Sequence, residues 1–192
     1  MSHVCFIASS VKGLRDINED ACCAERMGNY YVLAVADGLG GHAAGEVASA
    51  IAISALKDAM RDCDSPKIAL ENAVLTADEQ IRAQSEQYKE RRGMATTLIA
   101  ACVDDDLNCT VINVGDSRAH IITADGVKTT KDHSLVNELV ASGEIAPEEA
   151  WHHPLSNVLS QALGDRQSVI KPDFYEMNLR DTFLLLSSVL AH

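Results

Sequence analysis

The chain has 192 residues, 47% of them hydrophobic and 4% aromatic, which suits one globular domain with a core of its own. Sixteen basic residues stand against 28 acidic ones, a formal charge of −12, and the one basic run is Lys89-Glu90-Arg91-Arg92, so a nucleic-acid-binding face is excluded. The longest apolar run is too short to cross a bilayer, and the six cysteines form no CxxC pair; they read as reduced core residues of a cytoplasmic protein, not as a disulfide framework or zinc site.

In chain order, residues 3–9 are expected to form a first strand. Residues 13–20 follow as a polar loop that gathers Arg15, Asp16, Glu19 and Asp20 within six positions. Two readings of that loop stand: a solvated turn, or an arginine presented to a phosphate, since the planar guanidinium forks onto oxyanions. Residues 30–36 are an apolar run expected as a buried strand. It ends in one carboxylate, Asp37, and a turn carrying Gly38, Gly40, Gly41 and Gly45 before a helix starts near Glu46. Glycines let a backbone approach a small charged object closely. Asp37 with the Gly38 carbonyl would then be half of a magnesium or manganese site; otherwise the glycines serve only the geometry of the turn.

Residues 47–60 are expected as a helix with Val47, Ile51, Ala55 and Ala59 along one stripe. A second helix starts at Ser65-Pro66, with Leu70, Val74, Ala77 and Ile81 facing inward. The period then changes. Residues 95–103 and 107–114 read as a hairpin around Asp104-Asp105-Asp106, and 119–123 as another strand turning at Ala124-Asp125-Gly126. The triple aspartate lacks the spacing and glycine of a calcium loop and is read as a solvated tip. Sequential strands after two consecutive helices argue for an α+β fold.

Motifs now accumulate in one order. They are Arg15 with Asn18-Glu19-Asp20, Asp37-Gly38-Leu39-Gly40-Gly41-His42 with Gly45-Glu46-Val47-Ala48-Ser49, and Gly93-Met94-Ala95-Thr96-Thr97-Leu98. Val114-Gly115-Asp116-Ser117-Arg118, Asp132-His133-Ser134-Leu135-Val136 and Asn157-Val158-Leu159 through Ala162-Leu163-Gly164 complete the series. The ordered set resembles the PP2C (PPM) family of metal-dependent protein serine/threonine phosphatases, in their bacterial and archaeal style, over nearly the whole chain.

The resemblance implies a single PP2C-like domain over 1–192, a four-layer α-β-β-α sandwich with two central antiparallel sheets and metals at one end. Asp37 would bridge two manganese or magnesium ions and the Gly38 carbonyl would complete one shell. Glu19 and Asp20 would ligate directly or through water, and Asp116 would help hold a third, weaker ion. Arg15 would bind the substrate phosphate, and His42 would be the general acid, worth roughly 10²–10⁴-fold. Plainer roles stay open for two of these: Asp116 as a turn cap, His42 as a polar rim residue. A metal-activated water would attack phosphoserine or phosphothreonine in protein substrates, with a serine/threonine kinase as counterpart and neither membrane nor nucleic acid as partner.

The departures lie late in the chain. Family members continue from a Leu-Leu-Leu strand into Ser-Asp-Gly and later an Asp-Asn pair, whereas here Ser187-Ser188-Val189 follows Leu184-Leu185-Leu186. Ser156 stands where an arginine is common. The expectation is therefore a domain lacking its C-terminal strands and two metal carboxylates. A catalytically impaired relative that binds phosphoproteins or a partner is the alternative reading.

Overall fold

A computed structural model describes residues 5–40 and 44–188. Strands β1 (Asp20–Met27) and β2 (Tyr30–Leu39) form a hairpin whose turn uses Gly28 at φ +56°. Their register sets Asp20 opposite Asp37 and Met27 opposite Tyr30. β3 (Ala95–Thr96) pairs with the end of β2, and β4 (Leu98–Val103) with its middle. β5 (Asn108–Val114) and β8 (Asp173–Asn178) complete a first sheet of order β1-β2-β4-β5-β8. A second, three-stranded sheet has the order β7-β6-β9, from β6 (Arg118–Thr123), β7 (Gly126–Thr129) and β9 (Phe183–Ser187). All pairings are antiparallel, as the α+β reading expects.

The core explains why β4 is apolar at every position. Leu98, Ala100 and Cys102 face the helices, while Ile99, Ala101 and Val103 face the second sheet, so neither side of the strand meets water. Helices α1 (Ala44–Met60) and α2 (Pro66–Gln87) cover the first sheet. The buried stripe of α2 includes Leu70, Val74, Ala77 and Ile81, as expected. That of α1 is Ala48, Ala52, Ala55 and Leu56, not the Val47-Ile51-Ala59 line, which is only partly buried at its flank. Alanines at the contact let the two helices and the sheet approach closely, so the small residues take the inner face.

Residues 5–9 carry no strand: Ile7 is exposed, and Phe6 instead sets its ring edge-on to Tyr31 at 5.4 Å. The expected first strand finds no ladder partner among the described residues. β1, by contrast, carries no strand pattern in its sequence. Its residues alternate weakly, and its hydrogen bonds to β2 supply what its composition does not.

Between β7 and β8 the chain leaves the sandwich as α3 (Leu135–Ser142) and α4 (Pro147–Ala150). Ser134 caps α3 by accepting from the Asn137 N–H, and Gly143 ends it at φ +79°. Bridges Thr96–Leu163 and Ser134–Leu159 return the segment to the sheet edge. The outer face of the second sheet exposes Val127 at 60%, Phe183 at 78% and Leu185 at 52%, with no described helix over it. The described layers are therefore helix, sheet, sheet. A hollow of about 980 Å³ opens beside β6–β8, lined in part by Thr123, Lys128, Tyr175 and Arg180; none of Asp20, Asp37 or Asp116 borders it.

Candidate metal centre

Asp37 sits near the end of β2, and its backbone is fixed on both sides. Its N–H donates to Thr97 Oγ1 at 3.0 Å, and its carbonyl accepts from the Thr97 N–H at 3.0 Å and the Thr96 hydroxyl at 2.9 Å. The Thr97 hydroxyl also meets Ser117 Oγ at 2.7 Å, tying the start of β6 to the same point. With the main chain held, the Asp37 carboxylate has little freedom to turn away from its neighbours. Thr97 and Ser117 lie inside the sequence motifs, but only the fold shows that they brace Asp37.

The preceding loop closes against the same strand. The Gly38 N–H donates to the Glu19 carbonyl at 3.2 Å, and the Ser49 hydroxyl on α1 donates to that carbonyl at 2.6 Å. A side chain at Gly38 would put its Cβ 2.2 Å from the Gly45 carbonyl oxygen, so only glycine fits. At Gly45 a Cβ would stand 2.8 Å from Glu19 Oε1 and 2.9 Å from Gly38 O. The glycines therefore bring a carboxylate oxygen and a carbonyl oxygen to the head of α1, the close approach their spacing suggested. Asp20 is half-buried opposite Asp37; its N–H donates to Asn18 Oδ1 at 3.2 Å, and the Ser188 hydroxyl donates to its Oδ2 at 3.5 Å.

Burial pushes the Asp37 carboxyl up to about 7, and the charges of Asp20 and Asp116 push the same way; Arg15 opposes them weakly. Asp116 is also raised, by burial first and then by Asp132. Arg118 pairs with Asp132 in a bidentate fashion, Nε at 2.8 Å and Nη2 at 2.6 Å, and its charge only partly offsets the rise at Asp116. Glu19, Asp20, Asp37 and Gly38 thus converge, with Asp116 within electrostatic reach and Arg15 exposed at the edge. His42 lies outside the described residues.

This oxygen-only set fits a hard divalent cation. Among the described residues no group of three His, Cys, Asp or Glu side chains is drawn close enough to enclose an ion by itself. Magnesium keeps several of its own waters and is held through one or two carboxylates, so it needs no such enclosure. Burial pushes the Cys23 thiol up to about 11 and the Cys109 thiol up to about 12, so these two stay protonated at neutral pH. All six are free, as expected, although Cys5 is exposed and not part of the core.

From the carboxylates a groove of about 510 Å³ runs past Gly93 and Ala95 to the turn at 162–167. One of its walls is Asn157, Val158 and Leu159, from the segment that carries α3 and α4.

Comparisons with known proteins identify the family. The protein phosphatase 2C family model matches residues 13–159. The serine/threonine phosphatase stp of Listeria monocytogenes is 36% identical over 188 residues, which are 93% of this chain and 74% of the relative. The crystal structure of Stp1 from Staphylococcus aureus superposes with a TM-score of 0.81 at 35% identity, covering 92% of this chain and 72% of that one. The catalytic domain of the serine/threonine phosphatase PstP, solved in complex with two manganese ions, gives 0.71 at 33% identity, covering 87% and 68%. The chain belongs to the protein phosphatase 2C family and is a serine/threonine protein phosphatase of the bacterial type.

Proposed function

We propose that this phosphatase hydrolyses phosphoserine and phosphothreonine at the Asp37 end of the groove, with two manganese or magnesium ions, and a third more weakly held, as its cofactors. The observation that supports this reading is the crowding of oxygen groups at the end of β2, where Asp20 stands opposite Asp37 in the β1–β2 register and Gly38 lies against the Glu19 carbonyl and Gly45. Asp37, the Gly38 carbonyl, Glu19 and Asp20 would hold the ions, and Asp116 the weaker one. When bound, such ions supply an acidified water and neutralise phosphate charge.

The chain's own residues do the rest. Thr96 and Thr97 hold the Asp37 main chain, so its carboxylate stays aimed at one place. Arg15, exposed and close enough for its charge to act on Asp37, would grip the substrate's phosphate oxygens. His42 would give a proton to the departing serine or threonine oxygen. The kinase that makes these phosphoesters is the natural counterpart. Six unpaired cysteines support a reducing compartment such as the cytoplasm, and no described helix is long and apolar enough to cross a membrane. A binding-only relative gains nothing from the comparisons.

The test is phosphate release from a phosphothreonine peptide in millimolar manganese. Release should vanish in Asp37→Asn, fall about a hundredfold in His42→Ala, and show a raised KM in Arg15→Ala. Turnover that survives Asp37→Asn, or that needs no divalent cation, would overturn the reading.

A further inference from the structure

The groove beside Asp37 does not end at the carboxylates. Through Ser85, Gly93 and Arg166 it is continuous with a second hollow of about 380 Å³ that also contains Glu86 and Arg92. The far end of the path thus carries two arginines on a chain whose formal charge is −12. Such a chain repels an acidic phosphopeptide at long range, so local positive charge has a disproportionate effect on which peptides dock.

The backbone that carries Arg166 is firmly seated, whereas Arg92 is an exposed side chain. Arg166 rides on a turn pinned to α2 and β3 at several points. Leu163 and Thr96 exchange backbone hydrogen bonds of 2.8 and 3.0 Å, and the Gly164 N–H donates to Asp78 Oδ1 at 2.7 Å. Arg82 donates to the Ser168 carbonyl at 3.1 Å and pairs with Asp78 at 2.9 Å. Gly164 itself sits at φ +89°, where a Cβ would lie 2.1 Å from Ile81 Cγ2, so the turn is seated against the helix. The Arg166 guanidinium pairs with Glu86 at 2.6 Å, and both residues line the second hollow.

Two carboxylates share this end of the path, and neither cancels both arginines. Asp165 is engaged within its own turn, accepting from the Gln167 N–H at 3.1 Å and the Ser168 hydroxyl at 2.6 Å. Glu86 meets one arginine, while Arg92 is exposed with no ion pair among the described residues. An extended peptide with its phosphate at Asp37 would lay a flanking side chain here.

We propose that Arg92 and Arg166 form an anion subsite that selects phosphopeptides with an oxyanion, a carboxylate or a second phosphate, flanking the residue to be dephosphorylated. The subsite rests on the reading of Asp37 as the phosphate end of the groove. It is not part of the phosphoryl chemistry; the two arginines act on which substrate enters.

The test compares four phosphothreonine peptides of one length, flanked by alanine, glutamate, a second phosphothreonine or lysine, on the full chain in manganese. Preference is read as a ratio of kcat/KM between flanks within each variant, which cancels any general loss of activity. The wild-type chain should prefer glutamate over alanine about tenfold and reject lysine, a size expected for two partly exposed charge pairs. The ratio should fall to near one in the Arg92→Ala/Arg166→Ala double variant and invert toward lysine in Arg166→Glu. Glu86→Gln, which releases Arg166, should raise it. The glutamate and phosphothreonine arms show which oxyanion is favoured. A ratio near one in the wild type, or a preference that survives the double variant, overturns the subsite. Should no peptide be hydrolysed, the phosphatase reading fails separately, and anisotropy of the labelled glutamate-flanked peptide, wild type against double variant, decides the subsite by the same tenfold criterion.

Discussion

Asp37→Asn should do two opposite things: stabilise the metal-free protein and remove its response to manganese. The folded environment raises the carboxyl from 3.8 to about 7, through burial and the nearby Asp20 and Asp116. That is about a thousandfold in proton affinity, a ceiling of about 4 kcal/mol at about 1.4 kcal/mol per tenfold. Asp37 is only half-buried and shares its repulsion with its neighbours, so about 2 kcal/mol is the working figure. The sign follows from the direction of the shift. Because the folded chain holds this proton more tightly than the unfolded one, its contribution to stability is whole below about pH 4. It is lost as pH rises through about 7. At pH 8 the wild-type apo chain therefore lacks that stabilisation, while the neutral amide never carries the penalty. For a chain of this size 2 kcal/mol corresponds to about 4–8 °C in Tm. Thermal unfolding in EDTA, from pH 5 to pH 8, should show Asp37→Asn melting higher than wild type at pH 8, with a flatter pH profile. Addition of manganese should raise the wild-type Tm and leave the variant where it was. An Asn variant that melts below wild type at pH 8 without metal, or one still stabilised by manganese, would refute the charge-repulsion argument.

Other expectations bear on the frame around the carboxylates. Gly45→Ala meets Glu19 Oε1 at 2.8 Å and the Gly38 carbonyl oxygen at 2.9 Å; although alanine favours a helix by ~1 kcal/mol, the clash should win by about 1–3 kcal/mol and weaken manganese binding by calorimetry. Thr97→Val leaves the Asp37 N–H and Ser117 without the hydroxyl they use, and should lower stability by about 1–3 kcal/mol in denaturant melts. Phe183→Lys with Leu185→Lys touches only exposed positions, so the double variant should stay within about 0.5 kcal/mol of wild type while scattering less light when concentrated. A large loss of stability there would show that the second sheet's outer face is covered in solution.

The stretch around Asp37 was legible because its geometry allows few residue types. A carboxylate at a strand end, followed by glycines where the backbone crowds Glu19 and Gly45, leaves a pattern any reader of side-chain volumes can follow. Helix α2 was equally plain, since Pro66 marks its start and one face is continuously apolar. β1 was not, because an edge strand draws its stability from β2 and needs no alternation of its own. The stripe on α1 was misplaced for a related reason: in a helix rich in alanine, packing distance and not hydrophobicity chooses the inner face. The arginines at the far end of the groove lie about seventy residues apart in sequence, joined only by the seating of the 162–168 turn on α2, and no local pattern announces that.

The most direct test of the account is an anomalous difference map at the manganese absorption edge, from crystals grown with manganese. The account requires peaks within coordination distance of the Asp37 carboxylate, one of them shared with the Gly38 carbonyl. Crystals equilibrated with millimolar manganese that show no peak beside Asp37, or that hold the ion elsewhere on the acidic surface, would contradict it.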